Sequence, residues 1–503
     1  MMSLLGIDIG SGSCKGVAFA VDGRVLAQAD AAYHPVSHGG GMVEIDAECF
    51  WTAASDVIRR IAAAVPHDPI AAMAISSHGE TFVAVGRNGR SVAPALMNSD
   101  NRAAAQVDWW RENVGAERIY ELTGLPLHAM FALNKIMWFK ANRPELYARS
   151  VRFLSVGDYI LLRLGMPFVT DYSLAGRTMA FDIHKKTWSA ELLAAAGIGP
   201  EYFPEVMPAG HKVGTLSHRM AAELGLPDGV VVALGGHDQP CGALGAGAID
   251  PGQVAVAAGT YECATAVSDR PVNTPLAFGY SLNSYCHVVP DRYVTLAFFP
   301  AGIAARWFTE QFGGEDRMAA EREHRPFYDV FNERTQATCP GPSGICFTPH
   351  LIGACNPYWD VRATGTVAGI TPDKTRYHLY KAILEGIACE LALNVNALEE
   401  VVGTFDVMTI SGGNAKADFA VQLRADLTGK TILSRHTAEC VCQGAALLAG
   451  IAAGIYADAS DAVGQTMRRG KVFAPDSEVR KAYARQYEQY QTLYRALAPV
   501  RAL

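Results

Sequence analysis

The chain has 503 residues, half of them hydrophobic and 18% charged, a globular composition too long for one core, so two domains of about 250 residues are expected. The formal net charge is −7 and no block of Lys or Arg stands out, which argues against the basic footprint that nucleic acid binding needs. No apolar run reaches the roughly 18 residues of a membrane helix, and the 11 cysteines lie scattered without metal-ligand spacing, as in a reduced cytoplasmic protein.

The opening MMSLLGIDIG has no basic leader and passes directly into a turn, so it reads as a first strand and not as a signal peptide. LLGIDIG, KGVAFAV and RVLAQADAAY then alternate apolar strands with turns, and Asp22-Gly23 marks a hairpin between the second and third. Phe50, Trp51, Ala54, Val57, Ile58 and Ile61 recur at helical spacing over 47–65. AAMAISS at 71–77 is a buried strand, and TFVAVGRNGRSV at 81–92 predicts a hairpin turning at Asn88-Gly89. Val230 to Leu234 form a fully apolar strand, followed by a Gly235-Gly236 turn and by Asp238 ahead of a small-residue helix. GQVAVAAGTYECATAVSD at 252–269 repeats the opening pattern of strand, small-residue turn and strand. This internal echo predicts two related domains, 1–249 and 250–503, that each offer a phosphate-binding hairpin to a shared cleft. ISGGNAKADFAVQLRADLTG at 410–429 predicts a strand, a Gly-Gly turn and a helix from near Lys416. GAALLAGIAAGIYA at 444–457 is a buried helix, and the tail 477–498 is a helix with Tyr483, Tyr487, Tyr490 and Tyr494 along one packed side.

In GIDIGSGSCKG, Gly10, Ser11, Gly12 and Ser13 let backbone N–H groups approach anionic oxygens, and Lys15 adds a point charge. A dinucleotide fingerprint would need a third glycine at Lys15 and a helix afterwards, and a Walker A loop would need Gly-Lys-Ser/Thr. A plain Gly/Ser hairpin is the competing reading, and the matching turn at Gly259-Thr260 weighs against it. Asp8 ends a buried strand, where a carboxylate is costly unless paired or bound to a cation such as Mg²⁺. Asp238, ahead of a small-residue helix, reads by itself as a helix cap.

Five segments resemble, in order and spacing, the FGGY carbohydrate kinase family: GIDIGSGSCKG at 6–16, GGHDQPCGALG at 235–245, AAGTYECATAV at 257–267, GTVAGI at 365–370 with HLYKAILE at 378–385, and ISGGNAKADFAVQLRAD at 410–426. The resemblance covers nearly the whole chain. It implies an α/β protein of two actin-like, ribonuclease H-like domains with an interdomain nucleotide cleft. ATP and Mg²⁺ are the implied cofactors, with Asp238 as the general base and Asp8 associated with the metal through water. The family binds adenosine at the turn Gly412, Gly413 and Asn414; here Asn414 either bonds the base or ends the turn. Gly302 in PAGIAARWF occupies a position that approaches ATP phosphates in the family. The implied acceptor-binding residues are His78, Gly79, Glu80, Asp100 and Arg102, together with Asp238, and His237 either tunes the base or packs.

The chain also departs from the family pattern. Ser77 precedes His78-Gly79 where xylulose kinases often have Met, Gly79 precedes Glu80 where glycerol kinases have Arg, and Met97-Asn98 replaces a frequent Trp. MFALNKIMWF at 130–139 keeps Lys135 and Trp138 but has Ala132 where Pro, Ser or Thr is usual, and Ala354-Cys355 replaces Glu-Arg in PHLIGACNPYWD. These departures bear on the acceptor. The expected activity is phosphorylation of a primary hydroxyl on a ketopentose such as xylulose, with glycerol, a tetritol, a pentitol or a hexulose as alternatives. A non-catalytic sugar sensor and an actin-like ATPase are the competing classes. The expected partners are a small sugar or polyol and a second copy of the chain, with neither nucleic acid nor membrane.

Overall fold

The computed structural model describes residues 2–435, 437 and 439–501. Its first sheet grows from three antiparallel strands, β1 (Ser3–Ile9), β2 (Ser13–Ala20) and β3 (Val25–Ala32). Gly23, at φ 82°, makes the turn between β2 and β3. The helix α1 (Glu48–Ala64) buries Phe50, Ala54, Val57, Ile58 and Ile61 against these strands. β4 (Ile70–Ser77) then pairs in parallel with β1. β5 (Lys212–Thr215) and β6 (Val231–His237) complete the order β3-β2-β1-β4-β6-β5, with β6 parallel to β4 and β5 antiparallel at the edge. α2 (Asp238–Gly245) follows β6 directly.

The second sheet repeats this plan. β7 (Val254–Ala258), β8 (Tyr261–Ser268) and β10 (Tyr293–Pro300) form the antiparallel trio, with β9 (Asn283–Cys286) outside β10. After α3 (Gly302–Phe312) and the 27-residue α4 (Arg376–Val402), β11 (Val407–Ser411) pairs in parallel with β7. α5 (Asp418–Thr428) leads to β12 (Thr431–Arg435), parallel to β11, and β13 (Arg469–Phe473) closes the edge antiparallel. The internal echo seen in the sequence corresponds to a shared antiparallel trio followed by two parallel strands and an antiparallel edge; the edge strand differs in chain position, since β5 precedes β6 whereas β13 follows β12. α4 is buried on nearly every side because it runs beneath the second sheet while α7 (Ser477–Ala496) covers it with Tyr483 and Tyr490.

The chain crosses back once. α6 (Cys440–Ala452), from the second half, packs on β1, β4 and β6 of the first sheet, and its buried Cys442, Ala445, Ala446 and Leu448 share a core with Leu4, Ala72, Ala74 and Ala233. It also crosses α2 at glycines: a Cβ on Gly245 would collide with the Cys440 carbonyl, and one on Gly444 with the Cys241 carbonyl. At that crossing the two helix backbones are in near contact.

Three local expectations are revised. Gly235-Gly236 does not turn the chain; β6 continues to His237 through a bulge between Leu234 and Gly236. The absence of a side chain at Gly235 lets the backbone run against the Ile75 carbonyl, and a bulge re-aims the residues that follow it. The turn at Asn88-Gly89 forms, with the Gly86 N–H donating to the Arg90 carbonyl. Its outer arm makes only the bridge Val85–Ser91, and Val83–Gly86 pairs instead with Ser150–Leu154. Pro94, three residues beyond that bridge, has no N–H to extend a ladder. α5 begins at Asp418 and not at Lys416, because Gly413–Lys416 form a 3-10 turn.

Candidate active site

The ends of β1 and β6 face those of β7 and β11 across a cleft of about 490 Å³. Asp8, Lys15, Asp238, Gln239 and Gly242 line one side; Gly259, Tyr261, Cys263, Thr265, Ser411, Gly412, Gly413 and Lys416 line the other. Glu439 and Cys440, at the start of α6, join them.

The first small-residue turn is tight: the Gly10 N–H donates to the Ser13 carbonyl at 2.9 Å, and Ser11 and Gly12 are exposed. Lys15 projects into the cleft, where its Nζ lies 3.1 Å from Glu439 Oε2. Across the cleft the Gly259 carbonyl gathers three segments. It accepts from the Gly302 N–H at 3.2 Å and from Asn414 Nδ2 at 2.8 Å. Thr260 accepts on its carbonyl from the N–H groups of Ala301 and Ile303. The Asn414 side chain thus fastens the β11 turn to the β7 turn. Gly412, at φ 101°, lies against the Ala258 backbone where a side chain would not fit. Gly259, Thr260, Gly302, Gly412, Gly413 and Asn414, scattered over 155 residues, form one wall.

Asp8 and Asp238 stand on the opposite side. Asp8 Oδ1 is shut from water and has no hydrogen-bond partner. Burial pushes its carboxyl up to about 7, against the pull of Lys15. Asp238 is the first residue of α2, and the helix start carries no side-chain cap. Its Oδ1 is shut from water and accepts no hydrogen bond, while 24% of the side chain remains exposed through its other atoms. Burial raises its pKa well above the ordinary carboxylate value, with Asp8 and Glu80 adding to the rise and Arg177 opposing it. His237 Nε2 approaches Asp238 Oδ1 to 3.1 Å, and its Nδ1 is hydrogen-bonded to the Tyr285 hydroxyl at 2.7 Å.

The residues after β4 divide into two roles. His78 has both ring nitrogens engaged inside the protein, Nδ1 with the Ile9 carbonyl at 2.9 Å and Nε2 with Thr81 Oγ1 at 2.7 Å. Glu80, held at φ 66°, turns its carboxylate onto Arg177, with Arg177 Nε donating to Oε1 at 2.6 Å. Gly79 makes room, since a Cβ there would press on Arg177 Cβ and Cγ at 2.9 Å. Asp100 and Arg102 form an internal ion pair extended by Glu44. Arg102 Nη2 lies 2.8 Å from Asp100 Oδ2, and its Nη1 lies 2.7 Å from Glu44 Oε1. Asp100 also accepts from the Val43 N–H, and Arg102 lies over the Trp138 ring. Lys135, fully buried, donates to the Met97 carbonyl at 2.8 Å, and burial lowers its pKa to about 7. His78, Asp100 and Arg102 thus brace the loops, Glu80 is buried in its pair with Arg177, and Asp238 lines the cleft.

Arg177, Gln239, Tyr261 and Glu439 were not singled out in the sequence. The available signal was Arg177 itself, a lone cation in the apolar stretch VTDYSLAGRTMAF. Buried arginines require a carboxylate partner.

A divalent cation fits beside Asp8: the oxygen there is a hard donor with no protein partner. No group of three or more His, Cys, Asp or Glu among the described residues could hold a metal. Phosphate oxygens and water would have to supply the other ligands.

Two sheets that face each other across a glycine-walled cleft, with Asp8 and Asp238 on one side, give the actin-like, ribonuclease H-like fold. Residues 3–245 match the N-terminal domain of the FGGY family of carbohydrate kinases and residues 254–453 its C-terminal domain, and the chain belongs to that family. It is accordingly a kinase that acts on a sugar hydroxyl with ATP as co-substrate. The chain is 27% identical to a gluconokinase of Bacillus subtilis (strain 168), over 92% of this chain and 91% of that one. It is 28% identical to an autoinducer-2 kinase of Salmonella choleraesuis (strain SC-B67), over 98% and 94%. A ligand-bound xylulose kinase from Lactobacillus acidophilus superposes with a TM-score of 0.88 at 25% identity, covering 99% of each chain.

Proposed function

We propose that the chain transfers the γ-phosphoryl group of ATP to a primary hydroxyl of a ketopentose such as xylulose, in a cleft between domains 1–249 and 250–503. The observation that carries this reading is Asp238: a carboxylate that lines the cleft with 24% of its side chain exposed, opposite the Gly259 and Gly412 turns. As general base it takes the hydroxyl proton while the oxygen attacks the phosphorus in line. Gly10, Ser11, Gly12, Ser13 and Lys15 meet the phosphates from one side, and Gly259, Thr260 and Gly302 from the other. Gly412, Gly413 and Asn414 carry the adenosine. Asp8 would hold Mg²⁺ through water, and the cation would supply charge neutralisation on the phosphates. Glu80 takes acceptor hydroxyls, on a floor built by His78, Gly79, Asp100 and Arg102. Closing the halves excludes water and limits wasteful hydrolysis.

The names of the relatives leave gluconate and the autoinducer among the acceptors to be compared. A coupled ADP-release screen over pentuloses, hexuloses, tetritols, pentitols, glycerol and gluconate tests the reading. Turnover with a pentulose supports it. ADP release that no sugar stimulates would favour an actin-like ATPase, and sugar binding without ATP turnover would favour a sensor.

A further inference from the structure

The strongest unassigned group is Arg177, which follows the short helix Tyr172–Gly176, itself capped by Asp171. It is only 4% exposed. Its Nε donates to Glu80 at 2.6 Å and its Nη1 to Asn283 Oδ1 at 2.9 Å. The guanidinium lies 5.3 Å from the Phe131 ring centre and 5.0 Å from that of Tyr285. Tyr285 in turn holds His237, the residue before Asp238. One planar cation therefore touches the carboxylate after β4, two residues of β9 in the second sheet and, through Tyr285 and His237, the start of α2. Each contact is directional, because a guanidinium fork and two ring faces fix both its position and its plane.

We infer that Arg177 is a positioning residue for the transfer step, fixing the Glu80 carboxylate and the Asp238 end of α2 in one geometry across the two halves. The inference rests on the reading of Asp238 as the base. Two facts separate this role from a plain buried ion pair. First, Glu80 adopts a left-handed backbone conformation that points its carboxylate at Arg177, and strain of that kind persists where surrounding structure holds it. Second, Gly79 is a residue without a side chain where any Cβ would displace Arg177. The backbone at Gly79 and Glu80 is thus shaped to the Arg177 side chain.

The experiment uses the full-length chain with MgATP and D-xylulose, and reads kcat, the KM for ATP and unfolding temperature. Arg177→Met should lower kcat by about 100-fold, the loss typical of a misplacement near 1 Å, with the KM for ATP within about threefold. Arg177→Lys keeps the charge without the fork and should regain part of the loss. In Arg177→Ala, added guanidinium at non-denaturing concentration should restore turnover saturably. Asn283→Ala, which leaves the Arg177–Glu80 pair intact, covers the case in which Arg177 variants do not fold. It should lower kcat by about tenfold with nucleotide binding unchanged. The inference is overturned if Arg177→Met turns over at close to the wild-type rate, if Asn283→Ala leaves kcat unchanged, or if kcat and ATP affinity fall together without rescue by lysine or guanidinium. Failure of the underlying reading shows elsewhere, as retained turnover in Asp238→Asn.

Discussion

Asp238→Asn should separate activity from stability in opposite directions. The substitution keeps the shape of the side chain and removes its basicity. A positioned base contributes about 10²–10⁴-fold, or ~3–5 kcal/mol of barrier, so kcat should fall by that factor. Little of the fold depends on the charge: Oδ1 accepts no hydrogen bond, and α2 begins without a side-chain cap. The ionised form is instead disfavoured by burial and by Asp8 and Glu80. An acid whose pKa is raised in the folded state binds its proton more tightly there than in the unfolded chain. Stability is therefore lost as pH rises from the unfolded carboxylate value, about 3.9, toward the raised folded one. At pH 7 the amide removes that penalty, and the first unfolding transition should move up, by about 2–4 °C for each kcal/mol recovered in a domain of this size. At pH 4 the gain should shrink. A coupled ADP assay, calorimetric ADP binding and thermal unfolding at pH 4 and 7 measure the three quantities. Near-normal turnover, or a clear fall in unfolding temperature with weakened ADP binding, would refute the reasoning.

Asp8→Asn should abolish the Mg²⁺ dependence of nucleotide binding while leaving metal-free ADP binding in place, as titration calorimetry with and without Mg²⁺ would show. In the wild type, with the Asp8 carboxyl near 7, apparent Mg²⁺ affinity should climb as pH rises from 6 to 8, because a carboxylate ligand must first lose its proton. A flat profile would count against Asp8. Glu262→Gln leaves Arg424 buried after losing a bidentate partner at 2.9 and 2.8 Å, and should cost about 3–5 kcal/mol in denaturant unfolding of the second half. Gly444→Val would drive a branched side chain into the Cys241 carbonyl at the α2–α6 seam. It should destabilise by about 3 kcal/mol or more, read as a fall in unfolding temperature and soluble yield, and an unaffected protein would show that the seam is loose.

Much of the architecture is legible because its causes are local. The continuous apolar run in KGVAFAV, the Asp22-Gly23 turn and the period of Phe50, Ala54, Val57 and Ile61 each specify an element within a few residues. The misreadings are local too. Gly235-Gly236 reads as a turn from composition, yet the glycines serve a bulge pressed on Ile75, a residue far away in the chain. The roles within the candidate site divide along the same line. Gly10 and Gly12 announce a turn by themselves, whereas His78 turns out to be occupied by Ile9 and Thr81 only once the strands are side by side.

The order of small-residue turns, the acidic ends of β1 and β6 and the repeated strand plan were written in the amino-acid sequence, because backbone sterics and hydrophobic periodicity act over a turn or two. Tertiary structure alone decided that Arg177 would meet Glu80, 97 residues away, that Lys15 would meet Glu439 at 424 residues, and that α6 would return to the first sheet. Those contacts join side chains whose partners depend on how two sheets pack, and no local pattern encodes a partner's distance along the chain.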